Sequence, residues 1–142
     1  MYDKFTPQKP MNLMDFVQAA RSVVKEVSPD ELEQMQQDRP DLMILDVRES
    51  AEHQQTGHIK HCTFVPRGIL EAAADPSYPK RLPELVEARE RPIVVYCATG
   101  GRSAMAAAVL QMMGFKEVYS LAGGFQAWAA DDKPVAKEAS FV

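Results

Sequence analysis

Two kinds of apolar pattern share this chain. Leu42-Met43-Ile44-Leu45 and Ile93-Val94-Val95-Tyr96 are unbroken apolar runs of strand length, the second lying behind Pro92. Thr63-Phe64-Val65 before Pro66, and Glu117 to Ser120, read as two further short strands. Between these runs the spacing turns helical. Leu13, Phe16, Val17 and Ala20 follow Asn12, a candidate cap, and predict a short amphipathic helix. Ser28-Pro29-Asp30-Glu31 is a capping box with proline at the first helical position, ahead of the thin apolar face of Leu32 and Met35. Glu49 to Gln55 predicts a short helix ended by Gly57, Arg67 to Ala74 another, and Leu82 to Glu90 a helical turn or two. From Ser103 an Ala/Met/Leu-rich helix runs to Gly114, a candidate left-handed stop, and Gly123-Gly124 leads into a helix holding Trp128. Val23, Val24 and Val27 either extend the first helix or form a strand. Apolar strands alternating with helices predict an α/β fold, its sheet parallel and covered on both faces.

Length and charge narrow the picture. The 142 residues fit one domain, spanning 24–136, with an arm and helix before it (1–23) and a short tail after it (137–142). Residues 1–10 are polar, hold two prolines and are expected to be a loose arm; the charged stretch from Asp131 is expected to be peripheral. A net charge of −4 argues against general nucleic-acid binding, which needs a basic footprint. No apolar run approaches a membrane span, and the polar start lacks the core of a signal peptide. Two cysteines without an export signal predict free thiols in a reducing compartment, the cytoplasm by default.

The chemistry gathers at one junction. The strand ending at Tyr96 stops at Cys97, and Ala98-Thr99-Gly100-Gly101-Arg102-Ser103 then curls into a helix. Amides turned into such a loop, together with the helix N-terminus, offer partial positive charge to an atom on the thiol. A free thiol titrates near ~8.5, so neutral pH leaves little thiolate without help. A helix end supplies about 0.3–1 kcal/mol, and each hydrogen bond to a charged group about 1.5–3 kcal/mol. The bland alternative for Cys97 is a small buried hydrophobe. In open parallel sheets, ligands sit beyond the carboxyl ends of the strands. Asp46 and Cys97 each close an apolar strand and are therefore expected along that same edge.

Cys97-Ala-Thr-Gly-Gly-Arg-Ser103, Gly114-Phe115, Leu121-Ala-Gly-Gly-Phe-Gln-Ala-Trp128, Asp46-Val-Arg-Glu49 and Gly57-His-Ile59 together resemble the signatures of a single-domain rhodanese, a sulfurtransferase. The resemblance covers about Val24 to Val135. It implies a three-layer rhodanese-like fold with a mostly parallel five-stranded central sheet, and it favours a strand at Val24 to Val27. It further implies that Cys97 attacks thiosulfate or a persulfide donor, holds one sulfur as a persulfide, and passes it to a thiol, cyanide or protein acceptor, without a cofactor. The amides of Ala98 to Ser103 should then steady the sulfur, with hydroxyls from Thr99 and Ser103. Arg102 would take the sulfonate of thiosulfate or, alternatively, a salt bridge. Arg67 would reach the pocket mouth or pair with Glu71. Asp46 and Arg48 resemble the family's buried supporting pair.

His58 is expected to be a hydrogen-bonded structural histidine rather than a general base, and no His/Cys cluster has metal spacing in the sequence. Phosphate-handling cysteine loops place arginine six positions after the cysteine; Arg102 is five positions on, a tighter ring suited to a single sulfur. Two departures from the family pattern stand out. Lys60-His61-Cys62 replaces a glycine–alanine turn, which adds a thiol expected to be a buried spectator. His53 stands where an aromatic residue is usual and is expected to alter only surface packing. The competing functions are a persulfide- or anion-sensing or protein-binding module, and a cysteine phosphatase or arsenate reductase. The first helix would be a flap on the core or, failing that, a homodimer contact.

Overall fold

The computed structural model describes residues 9–137. The elements run α1 (Leu13–Arg21), β1 (Lys25–Val27), α2 (Pro29–Asp38), β2 (Met43–Asp46), α3 (Ser50–Thr56), β3 (His58–Ile59), β4 (Thr63–Phe64), α4 (Leu70–Ala74), α5 (Pro83–Val86), β5 (Pro92–Tyr96), α6 (Gly101–Met112), β6 (Glu117–Leu121), α7 (Gly124–Ala130) and β7 (Val135–Ala136). Single 3₁₀ turns at Arg67–Ile69 and Glu87–Glu90 precede α4 and follow α5. Five strands form a wholly parallel sheet in the order β1-β6-β5-β2-β4. Val27 thus closes a strand, Lys25–Val27, and Val23 and Val24 lie in the turn between it and α1.

Alternation along the central strands divides the core into two layers. Met43 and Leu45 of β2, with Val47 just past it, join Ile93 and Val95 of β5, with Cys97 just past it, and pack under Ala106, Ala107 and Leu110 of α6. Ile44, Val94 and Tyr96 face the other way, with Leu32, Phe125 and Trp128. Because successive strand residues take opposite faces, Cys97 emerges on the α6 side and its neighbour Tyr96 on the α7 side.

The caps follow the sequence. Asn12 and Ser28 accept from the third amides of α1 and α2, and Asp15 and Glu31 reach back to the cap amides. Gly114 closes α6 at φ +95°, in the left-handed region. The stripe foreseen on α1 holds only in part. Val17 and Ala20 are buried, whereas Leu13 and Phe16 are 67% and 51% exposed.

The segment after Asp131 is not peripheral as far as it is described. β7 pairs antiparallel with β3, Lys133 Nζ bonds Asp30 and Glu33 of α2, and Trp128 Nε1 donates to the Pro134 carbonyl. Two-residue strands carry no periodicity, so this ribbon left no mark in the pattern. The foreseen loose arm, apart from residues 9 and 10, and the last five residues lie outside the described residues. Among the described residues, no helix is long and apolar enough to cross a membrane.

Candidate active site

β5 delivers Cys97 to the carboxyl edge of the sheet, and the next residues turn back into α6. The turn is made by Gly100 at φ +109°, a backbone shape that disfavours any side chain. It aims donors at the sulfur. Gly100 N–H donates to Cys97 Sγ at 3.1 Å and Ser103 N–H at 3.3 Å. The Ser103 hydroxyl lies 3.4 Å from the same sulfur, held by the Gly100 carbonyl and by Ser120 Oγ at 2.8 Å. Of the amides expected to line the ring, these two bond Sγ itself, and Ser103 rather than Thr99 supplies the hydroxyl. Cys97 is 1% exposed.

The amides face inward because the carbonyls are engaged outside. Phe125 N–H donates to the Cys97 carbonyl at 2.8 Å, and Gln126 N–H to that of Ala98 at 3.0 Å. The start of α7 thus caps the loop from behind. This closeness explains Gly124. A methyl group there would sit 2.6 Å from the Ala98 carbonyl and 2.7 Å from that of Cys97, at a φ of +62°. Gly124→Ala is therefore expected to destabilise the fold by at least about 2 kcal/mol, from left-handed strain plus the clash. A denaturant titration beside the wild type checks it; an unchanged midpoint would show that the loop can shift aside freely.

Arg102 stands at the loop rim, but its guanidinium is doubly bonded to Glu52, at 2.7 and 2.8 Å. That hydrogen bond, outweighing the opposing effect of burial, holds the Glu52 carboxyl at about 2. The salt-bridge alternative for Arg102 is the one the structure holds. Arg67 likewise bonds Glu71, at 2.7 Å.

Asp46 and Arg48 lie at the same sheet edge as Cys97 but on its other face. Asp46 pairs with Tyr96 in the strand register, and both point toward α7. Arg48 Nη2 and Nε bond the carboxylate at 2.9 to 3.2 Å, and the Arg48 amide adds a bond at 2.9 Å. The same guanidinium donates to Thr56 Oγ1 and the Gly57 carbonyl, and it lies 4.4 Å from the ring centre of Phe125. Burial works to raise the Asp46 carboxyl, but the bonds from Arg48 and then His53 prevail and hold it below 3.8. Arg48 thus touches the ring of Phe125, the residue whose amide bonds the Cys97 carbonyl.

His53 is the surprise of this cluster. Its Nδ1 donates to Asp46 Oδ2 at 2.9 Å, and its ring stacks on His58 and Phe64, each with centroids 4.3 Å apart. Its side chain is only 11% exposed, so it packs against the buried carboxylate rather than altering only the surface. A signal for this existed in the shared (i, i+5) spacing of two histidines before a phenylalanine, but it specifies no partner. His58 Nδ1 donates to the neighbouring Ile59 carbonyl at 3.1 Å. His61 takes the place of the usual turn glycine at φ +67°.

Folding also brings Asp46, His53 and Cys62 together, their ligand atoms within 4.8 Å, although the sequence showed no metal spacing. Asp46 Oδ2 already accepts from Arg48, His53 and Tyr96. A divalent ion there would meet the buried guanidinium, so the arrangement is that of a hydrogen-bonded carboxylate. Cys62 is free and half-buried, and burial pushes its thiol up from 9.0. It precedes β4 while Cys97 follows β5, and β2 runs between them. Two strand spacings come to about 10 Å, beyond the ~7 Å a disulfide spans.

Comparison with known proteins agrees with this geometry. The family model of the rhodanese-like domain matches residues 28–131. A protein of Allochromatium vinosum named sulfurtransferase is 32% identical over 113 residues, covering 80% of this chain and 95% of its own. The thiosulfate sulfurtransferase GlpE of Coxiella burnetii is 33% identical over 90 residues, covering 63% of this chain and 74% of its own. A solved structure from Rhodopseudomonas palustris, described as a protein of unknown function and possible tyrosine phosphatase, superposes with a TM-score of 0.83. It is 31% identical, with 92% of this chain and 99% of that one covered. With its five-stranded parallel sheet, its cysteine loop and a family match over most of its length, this chain belongs to the rhodanese-like domain family.

Proposed function

We propose that this protein is a sulfurtransferase that carries one sulfane sulfur on Cys97, taken from thiosulfate or a persulfide donor and given to a thiol or cyanide. The observation that carries the reading is the pair of amides, Gly100 N–H and Ser103 N–H, aimed at Sγ. Donors fixed before reaction favour the anionic sulfur without reorganising during it. In the first half-reaction the Cys97 thiolate attacks the outer sulfur of thiosulfate. The S–S bond to the sulfonate breaks and its electron pair leaves with sulfite. The persulfide Cys97–S–S⁻ remains inside the loop. Ser103, fixed by Ser120 and the Gly100 carbonyl, keeps the ring closed through both halves.

The names of the relatives support sulfur transfer as the class, and GlpE supports thiosulfate as a donor. The description of the Rhodopseudomonas protein favours a second reading, a cysteine phosphatase. Against it stands the five-position step from Cys97 to Arg102, one short of a phosphate-embracing ring, with Arg102 tied to Glu52. Free thiols at Cys62 and Cys97 suit a reducing compartment, and we assign the protein to the cytoplasm.

Incubation with thiosulfate followed by intact-mass measurement tests the reading. One added sulfur, removed again by cyanide, is the expected result. A wild-type protein that takes no sulfur from thiosulfate or from polysulfide, yet cleaves a phenyl phosphate, would overturn it.

A further inference from the structure

A cation from outside the matched family segment reaches the cysteine loop. Arg21, in the last turn of α1, extends over Gly100: a methyl group built there would stand 3.5 Å from Arg21 Nη2. Its carboxylate neighbour among the described residues is Glu26, 3.7 Å from Nε and too far for a hydrogen bond. Arg102 and Arg67 differ, since each is bonded to a glutamate at 2.7 Å. Of the two arginines at the loop, Arg21 is the one whose guanidinium is less committed.

Beside this guanidinium lies a cavity of about 440 Å³, between α1 and the loop. Leu13, Met14 and Val17 form one wall and Met105 of α6 another, with Thr99 at the loop side. Arg21 and Arg102 also line it, and none of its described lining residues is acidic. An apolar slot with a cation at one end and a reactive sulfur loop at its border is selective in a simple way. It matches a ligand with an alkyl body and an anionic head. It also accounts for the exposure of Leu13 and Met14, which folding alone leaves 67% and 49% in solvent.

We infer that α1 and the cysteine loop form the binding site of the sulfur acceptor, a small thiol with an alkyl body and an anionic head. The head rests on Arg21 and the body on Leu13, Met14 and Met105. This rests on the sulfurtransferase reading and names its acceptor class. In the step itself, Cys97–S–S⁻ and R–SH give Cys97–S⁻ and R–S–SH. The acceptor sulfur bonds the outer sulfur, the S–S bond to Cys97 breaks, and its electron pair returns to Sγ. The acceptor's proton ends on the transferred product, and no oxidant or reductant is consumed.

The test compares 6-mercaptohexanoate with its uncharged analogue 6-mercaptohexanamide as acceptors, after thiosulfate has loaded Cys97. The wild type should favour the acid about tenfold in kcat/KM, the scale of one charge-assisted contact. Arg21→Gln should erase that preference by raising KM for the acid to about that for the amide. Binding of unreactive hexanoate, followed by amide shifts in α1 and at Thr99, gives a readout without sulfur chemistry. An acid preference that is absent in the wild type or survives in Arg21→Gln would overturn the site while leaving sulfur transfer standing. Arg21-dependent hexanoate binding on a protein that never takes sulfur would instead sink the sulfurtransferase reading and keep the pocket.

Discussion

Cys97→Ser is expected to reduce sulfur transfer by roughly 10³-fold or more, with the fold left intact. A serine hydroxyl stays protonated at neutral pH, and two amide donors cannot ionise it. The substitution removes one large polarisable atom from a site 1% exposed and leaves its neighbours bonded to one another. Ser103 keeps Ser120 and the Gly100 carbonyl, and Phe125 N–H still holds the carbonyl at position 97. The melting temperature should therefore move by only about 2–4 °C. Intact mass after thiosulfate treatment should show no added sulfur. If the variant still gains one, Cys62 is the carrier, against its half-buried place and raised thiol.

That contrast between the two cysteines shows what a sequence can disclose. Strand, thiol, glycine turn and helix are local features, and their order around Cys97 was readable residue by residue. So were the caps of α1 and α2, because a capping box is closed within four residues. Which face a strand residue takes was readable in principle from alternation. The unbroken apolar runs of β2 and β5 hid it, since both faces are buried. Asp46 was therefore placed at the right edge with no sign that it lies across the sheet from the sulfur. Partners distant in sequence were illegible. Nothing near Arg102 announces Glu52, fifty residues earlier, and nothing in the tail announces β3. His53 shows the same limit: an imidazole carries no mark of the carboxylate it will meet.

The second large effect belongs to that hidden carboxylate. Asp46→Ala is expected to destabilise the protein by about 3–5 kcal/mol, the scale of breaking a buried ion pair from one side. The cost comes less from the lost attraction than from what stays behind. Arg48, 1% exposed, would keep Thr56 and the Gly57 carbonyl but have no counter-charge. His53 Nδ1 would lose its acceptor, and Tyr96 OH would keep only the weak one, Cys62 Sγ at 3.6 Å. Adding Arg48→Met should restore most of the stability, since an apolar side chain needs neither partner.

Acid provides an independent check. The Asp46 carboxyl is held below 3.8 in the folded protein, so its contribution is present in full above that value and is lost as pH falls through the lowered one. The wild type should thus lose stability below about pH 4 more steeply than the Asp46→Ala variant does, as urea titrations across that range would show. Since Asp46 faces away from the thiol, the fraction of Asp46→Ala that remains folded should still load sulfur on Cys97. A folded variant with an empty Cys97 would mean that the contact from Arg48 to Phe125 sets the loop's geometry. The opposite face of the sheet would then belong to the reaction as well as to the fold.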